Sequence, residues 1–215
     1  MSNNNPCSPA GNGGYPSDCD ITAALLAKAN ERLSAVKRPE GWQQALQRGR
    51  NISLLLLDVD GVLTDGSITY TQGGGESKSF NTQDGFGLRI LQEAGIEVGL
   101  ITARVSEAVD RRARDLNLTH VYQGNSNKIE AFNEILASTK ISPDRIAYMG
   151  DDWLDMVLID RVGFSLAPAN AVAEVKRRVH WVTEKRGGYG AVREACDLLI
   201  EAVGKREFLI GKYFR

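Results

Sequence analysis

Histidine, cysteine and an excess of charge of either sign are what this sequence has least of. Its 215 residues hold two histidines and three cysteines, and 26 Lys+Arg against 27 Asp+Glu leave a formal net charge of -1. Neither His120 nor His180 has the neighbours of a zinc site or a nucleophile–base pair, so both read as structural. Cys7, Cys19 and Cys196 form no C-x-x-C pair and are odd in number, which argues against a disulfide framework or a zinc knuckle and for a reducing compartment. Balanced charge removes the electrostatic reason to expect nucleic acid or an anionic membrane as partner, so an anionic ligand must be met by local charges. No apolar run approaches the roughly 18 to 20 residues that span a bilayer, and the first residues show no basic stretch with an apolar block behind it. A cytoplasmic protein is expected. With 42% hydrophobic and 25% charged residues, one domain with a sizeable core fits the composition.

Residues 1–19 are rich in Asn, Ser, Pro and Gly and have little to bury, so they read as a disordered tail. Residues 20–50 read as a helical extension, with Ile21, Leu25, Ala29 and Leu33 at helical spacing and a second short helix around Trp42, Ala45 and Leu46. From 51 to 203 short apolar runs alternate with helical segments. Ile52–Leu57, Glu97–Ile101, His120–Tyr122, Arg145–Met149 and Gly163–Leu166 predict strands. Helices are expected between them and again at Ala191–Ala202. This alternation predicts an α/β fold: a three-layer, Rossmann-like parallel sheet with helices on both faces, binding its ligand at the carboxyl ends of the strands. Only Ser67–Phe80 breaks the order, reading as a β-hairpin turned at Gly73-Gly74-Gly75. Residues 204–215 are expected to be a C-terminal tail.

Chemistry concentrates at the strand ends. The first strand closes in Asp58-Val-Asp60-Gly, two carboxylates whose burial calls for a counter-charge. The second ends in Thr102-Ala-Arg104. Lys128 opens a helix, where the helix dipole does not favour it. The fourth strand ends in Gly150-Asp151-Asp152, with Asp155 one turn on, a cluster that invites a divalent cation. Competing patterns fail: Gly73–Ser79 lacks the glycine spacing of a P-loop, and Gly85-Phe-Gly87 lacks the third glycine of a dinucleotide fingerprint.

The ordered set Asp-x-Asp, Thr, Lys, Gly-Asp-Asp resembles the motifs of the haloacid dehalogenase superfamily, with a small hairpin where that superfamily carries its cap. Within it, Leu57–Gly66, Phe80–Arg89, Ala167–Ala171 and Gly187-Gly-Tyr-Gly-Ala-Val-Arg-Glu194 resemble the 3-deoxy-D-manno-octulosonate 8-phosphate phosphatases. The sequence departs from their pattern at Gln83 and Val157, where Arg and Pro are frequent. The resemblance implies a Mg²⁺-dependent, capless, homotetrameric phosphatase of lipopolysaccharide biosynthesis acting on a small sugar phosphate. Phosphatases of related nonulosonate 9-phosphates, and a non-catalytic tetramerisation scaffold, remain alternatives.

On that basis Asp58 is the expected nucleophile and Asp60 the general acid and base. Thr102 and Lys128 are expected to bind the transferring phosphoryl group, and Asp58, Asp151 and the backbone carbonyl of Asp60 to hold the metal. Asp84, Arg104, Arg112 and Arg193 are the expected contacts to the sugar acid. Gly187–Glu194 of one chain are expected to complete the substrate site of the next.

Overall fold

The computed structural model describes residues 17–34, 38–73 and 75–213, which fall into two units parting between Arg38 and Pro39. Among the described residues, the first unit contains one helix, α1 (Asp18–Ser34). It starts two residues before the expected boundary because Ser17 and Asp20 cap it reciprocally: the Asp20 carboxylate accepts from the Ser17 amide at 3.1 Å, and the Ser17 hydroxyl from the Asp20 amide at 3.2 Å. Ile21 and Leu25 are exposed on it. The expected tail up to residue 16 lies outside the described residues. Cys19 is disulfide-bonded, a bridge the sequence did not announce but not a disulfide framework, whereas Cys196 is a free, buried thiol. An odd cysteine count excludes pairing all three, not pairing two.

The second unit is built on six parallel strands: β1 (Leu54–Leu57), β4 (Glu97–Ile101), β5 (His120–Tyr122), β6 (Ile146–Met149), β7 (Phe164–Ala167) and β8 (Trp181–Val182), in the order β5-β4-β1-β6-β7-β8. A separate two-stranded hairpin, β2 (Thr69–Tyr70) and β3 (Glu76–Ser77), pairs antiparallel as expected. The unbroken apolar run of β1 follows from its central place. Leu55 and Leu57 pack into the core on one face, Leu54 and Leu56 into the core on the other. The first face is covered by α2 (Trp42–Gly49), α3 (Thr82–Glu93), α4 (Glu107–Asp115) and α8 (Ala191–Ala202), the second by α5 (Lys128–Thr139), α6 (Met156–Ile159) and α7 (Ala173–Arg178).

Differences from expectation are confined to short elements. β8 and α7 are too brief for periodicity to announce, and Trp153–Asp155 forms a 3₁₀ turn before α6. The expected C-terminal tail contains a helix, α9 (Arg206–Lys212), held to the core by buried Leu209. Among the described residues, no helix is long and apolar enough to cross a membrane.

Candidate active site

The strand order places the ends of β1, β4 and β6 side by side, and the sheet opens there into a cleft of about 280 Å³ lined by Asp58, Asp60, Thr102, Arg104, Lys128 and Asp151, among others. Four chain segments thus bring together the strand-end motifs that the sequence keeps far apart. Crossover helices return each chain segment to the same sheet edge, so residues just after parallel strands gather at one end.

Lys128 is the buried centre of the site. Its ammonium lies 2.9 Å from Asp58 and 2.6 Å from Asp155, and donates to the Tyr148 hydroxyl at 3.1 Å. Burial pulls the Lys128 pKa down, but Asp58 and Asp155 outweigh it and leave the ammonium above its usual value. Burial pushes the Asp58 carboxyl up to about 6 against the opposing pull of Lys128. Asp151 has less compensation, and burial followed by the charges of Asp58, Asp155 and Asp152 pushes it up to about 7.

Asp58, Asp151 and Asp155 each offer a carboxylate oxygen within 4.8 Å of the others, a grouping that could hold a cation. Hydrogen-bond capacity separates their roles. Asp155 Oδ1 accepts from Lys128 and, at 2.5 Å, from Tyr148, while Oδ2 accepts from the backbone amides of Asp151 and Asp152 at 2.8 and 3.0 Å. With both oxygens doubly engaged, Asp155 is a post that fixes Lys128 and the Asp151 loop. Asp152 caps the following turn by accepting from the Trp153 amide at 2.7 Å. Asp58 and Asp151 remain as the carboxylates whose raised pKa values call for positive charge, and hard oxygen donors of this kind suit Mg²⁺.

This electrostatics has a measurable sign. Between about pH 4 and pH 7 the folded chain holds protons on Asp58 and Asp151 more tightly than the unfolded chain does, so their contribution favours the fold at low pH and is lost as pH rises through 6 and 7. In chelator, melting experiments are therefore expected to show this contribution falling between pH 5 and pH 8. Added Mg²⁺ should raise the melting temperature more at pH 8 than at pH 5. A metal-induced shift independent of pH would contradict the assignment.

Asp60 turns toward the hairpin side. It is ion-paired with Lys78, which also lies 3.0 Å from Glu76; Arg104 pairs with Glu76 and stands 3.9 Å from Asp60. Sequence reasoning found Arg104 but missed Lys78, Glu76 and Tyr148. The available signals were Glu76 and Lys78 two apart on one strand face, and a lone hydroxyl in the otherwise apolar β6.

Three expected substrate contacts lie outside the cleft lining and have other partners. Asp84 is buried and accepts from the amides of Gly190 and Arg193 at 3.3 and 2.7 Å, fastening the start of α8. The Arg112 guanidinium donates to the Asn81 carbonyl at 3.0 Å and lies over Phe80, in space open only because residue 85 is glycine. Arg193 pairs with Asp197 at 2.9 Å and covers Phe86. The glycine segment packs within the chain. A Cβ on Gly187 would collide with the Gly61 carbonyl oxygen, and one on Gly188 would lie 2.6 Å from the Asp65 nitrogen. These two glycines press against their own chain's first loop.

Comparison with known proteins points the same way. The family model for haloacid dehalogenase-like hydrolases matches residues 116–194. The chain is 43% identical over 187 residues to the 3-deoxy-D-manno-octulosonate 8-phosphate phosphatase KdsC of Escherichia coli strain K12, covering 87% of this chain and 99% of that protein. Among solved structures, the corresponding phosphatase of Yersinia pestis is 44% identical with a TM-score of 0.75, over 76% of this chain and 88% of the other. That of Moraxella catarrhalis, in complex with magnesium ion, phosphate ion and KDO, is 36% identical with a TM-score of 0.77, over 80% and 98%.

Proposed function

The chain belongs to the 3-deoxy-D-manno-octulosonate 8-phosphate phosphatase family of haloacid dehalogenase-like hydrolases, and we propose that its cleft hydrolyses this phosphate monoester to the free sugar acid and phosphate, with Mg²⁺ as cofactor, in lipopolysaccharide biosynthesis. The observation that carries the reading is the buried Lys128 held between Asp58 and Asp155, with Asp151 beside them, at the mouth of the central strand.

In this reading an Asp58 oxygen attacks phosphorus, the bond from phosphorus to the sugar oxygen breaks, and an aspartyl-phosphate forms. Asp60 gives its proton to the departing sugar oxygen, then takes one from the water that attacks the aspartyl-phosphate, and Asp58 departs as a carboxylate. Lys128 and the buried Thr102 face the charge that spreads over the transferring oxygens. Asp58, Asp151 and the Asp60 backbone carbonyl would hold Mg²⁺, which supplies positive charge against the phosphate dianion. Lys78 and Arg104 hold Asp60 from the hairpin side, and Arg104, which lines the cleft, is the guanidinium placed to meet a sugar-acid carboxylate.

The reading extends to a cytoplasmic homotetramer. A hairpin this small cannot exclude water from the cleft by itself, and Ile68, Tyr70 and Tyr189 are exposed on the hairpin and the glycine segment, where neighbouring copies would cover them. Sedimentation at the mass of four chains is expected; a monomer would remove the assembly from the account. The activity is tested by phosphate release across a panel of sugar phosphates with Mg²⁺ present. Octulosonate 8-phosphate should far exceed hexose phosphates. A greater rate on a nonulosonate 9-phosphate would replace the substrate, and a silent panel would refute the enzyme.

A further inference from the structure

The loop after β7 contains a side chain that the phosphatase reading has not used. Asn170 donates its amide N–H to the Gly61 carbonyl at 3.0 Å and accepts from the Gly187 amide at 2.6 Å, so both ends of one side chain are engaged. Gly61 directly follows Asp60 and lies so close to Asp151 that a Cβ on it would collide with that carboxylate. The same post-β7 loop is fastened to the other acid loop, because the Val172 amide donates to the Asp151 carbonyl at 2.9 Å. Residues 170–172 therefore bridge the two chain segments that carry Asp60 and Asp151.

From behind, the glycine segment closes the bridge. Gly188 donates its amide to the Val62 carbonyl at 3.0 Å, and its φ of 71° is left-handed backbone that glycine adopts without strain. The Asn81 side chain donates to the Gly188 carbonyl at 3.3 Å, and Asp84 secures Gly190 and Arg193. A chain of hydrogen bonds thus runs from the start of α8 through Gly187 and Asn170 to the backbone beside Asp60.

We propose that Asn170 is a positioning residue for the divalent-cation site: by holding the Gly61 peptide against the Asp151 loop it sets the spacing of the oxygens that would receive the metal. The inference rests on the metal-dependent reading above but not on the identity of the sugar. Residues that orient ligands from outside the coordination sphere are typically worth about 10- to 100-fold in metal affinity. Asn170→Ala removes both hydrogen bonds. Asn170→Asp keeps an acceptor for Gly187 and loses the donor to Gly61, while its added negative charge would by Coulomb attraction alone favour a cation.

The test is isothermal calorimetry of Mg²⁺ with the full chain, alongside thermal unfolding in chelator. Wild type should bind, and both variants should bind about 10-fold or more weakly. At saturating Mg²⁺ their kcat should return most of the way to wild type. Leu209→Ala, on α9, serves as a control that lowers stability through the core and should leave Mg²⁺ affinity unchanged. Wild-type affinity in Asn170→Ala, or in Asn170→Asp if the alanine variant does not fold, overturns the proposal, as does an equal loss of affinity in Leu209→Ala. Absence of Mg²⁺ binding by wild type would instead sink the metal-dependent reading itself.

Discussion

Asp58→Asn is expected to abolish turnover while leaving the protein folded. The substitution is nearly isosteric and replaces the carboxylate that must attack phosphorus with an amide that cannot, so the predicted loss is on the order of 10⁵-fold or more. Folding should survive because Lys128 keeps its pair with Asp155 at 2.6 Å, and because the burial that pushes the Asp58 carboxyl up to about 6 penalises a charge the variant no longer has. Asp60→Asn gives the contrast: a misassigned nucleophile would reverse the order of the two variants. Loss of positioned acid–base catalysis costs about 10² to 10⁴ in rate. Single-turnover phosphate release measures both, and wild-type rates in Asp58→Asn would refute the covalent route.

Lys128→Met should have the largest effect on stability and should abolish activity too. The ammonium is the positive charge shared by Asp58 and Asp155, and it donates to Tyr148. Removing one partner from a buried charge cluster costs about 3 to 5 kcal/mol, because the remaining charges stay buried without compensation. The sign of its pH dependence follows. Without Lys128, which holds them down, the Asp58 and Asp151 carboxyls are raised further, so the variant should recover stability on acidification, where protonation removes the uncompensated charge. Urea unfolding at pH 5 and pH 8 would measure it. A variant as stable as wild type at pH 8 would show that the Lys128 pairs contribute nothing net.

Much of this site is legible from local chain chemistry. Leu54–Leu57 reads as a central parallel strand because such strands bury both faces and need apolar residues without alternation, and the acids at Asp58, Asp60 and Asp151 stand out because they interrupt apolar runs. α7 and β8 were not legible, since six and two residues contain too few turns or alternations to carry a period. Arg112 and Arg193 show a different limit. An arginine near a phosphate motif reads as an anion contact from its type alone, and its type does not announce the intrachain contacts these two make with Asn81 and Phe80, or with Asp197 and Phe86.

The alternation of strands and helices from β1 to β7, the parallel sheet, the hairpin and the strand-end acids Asp58, Asp60 and Asp151 were determined by the sequence, because periodicity and the cost of burying charge act over a few neighbouring residues, while Thr102 and Lys128 stood out through the ordered motif set that resembles the superfamily. Tertiary structure alone decided that Asp155 is a fully engaged post, that Lys78 pairs with Asp60, and that Gly187 and Gly188 press on their own chain's first loop. Each of those outcomes depends on which donors and which backbone arrive from distant segments at hydrogen-bond range. A side chain's capacity is written in its type, but its use is settled by what the fold places within about 3 Å of it.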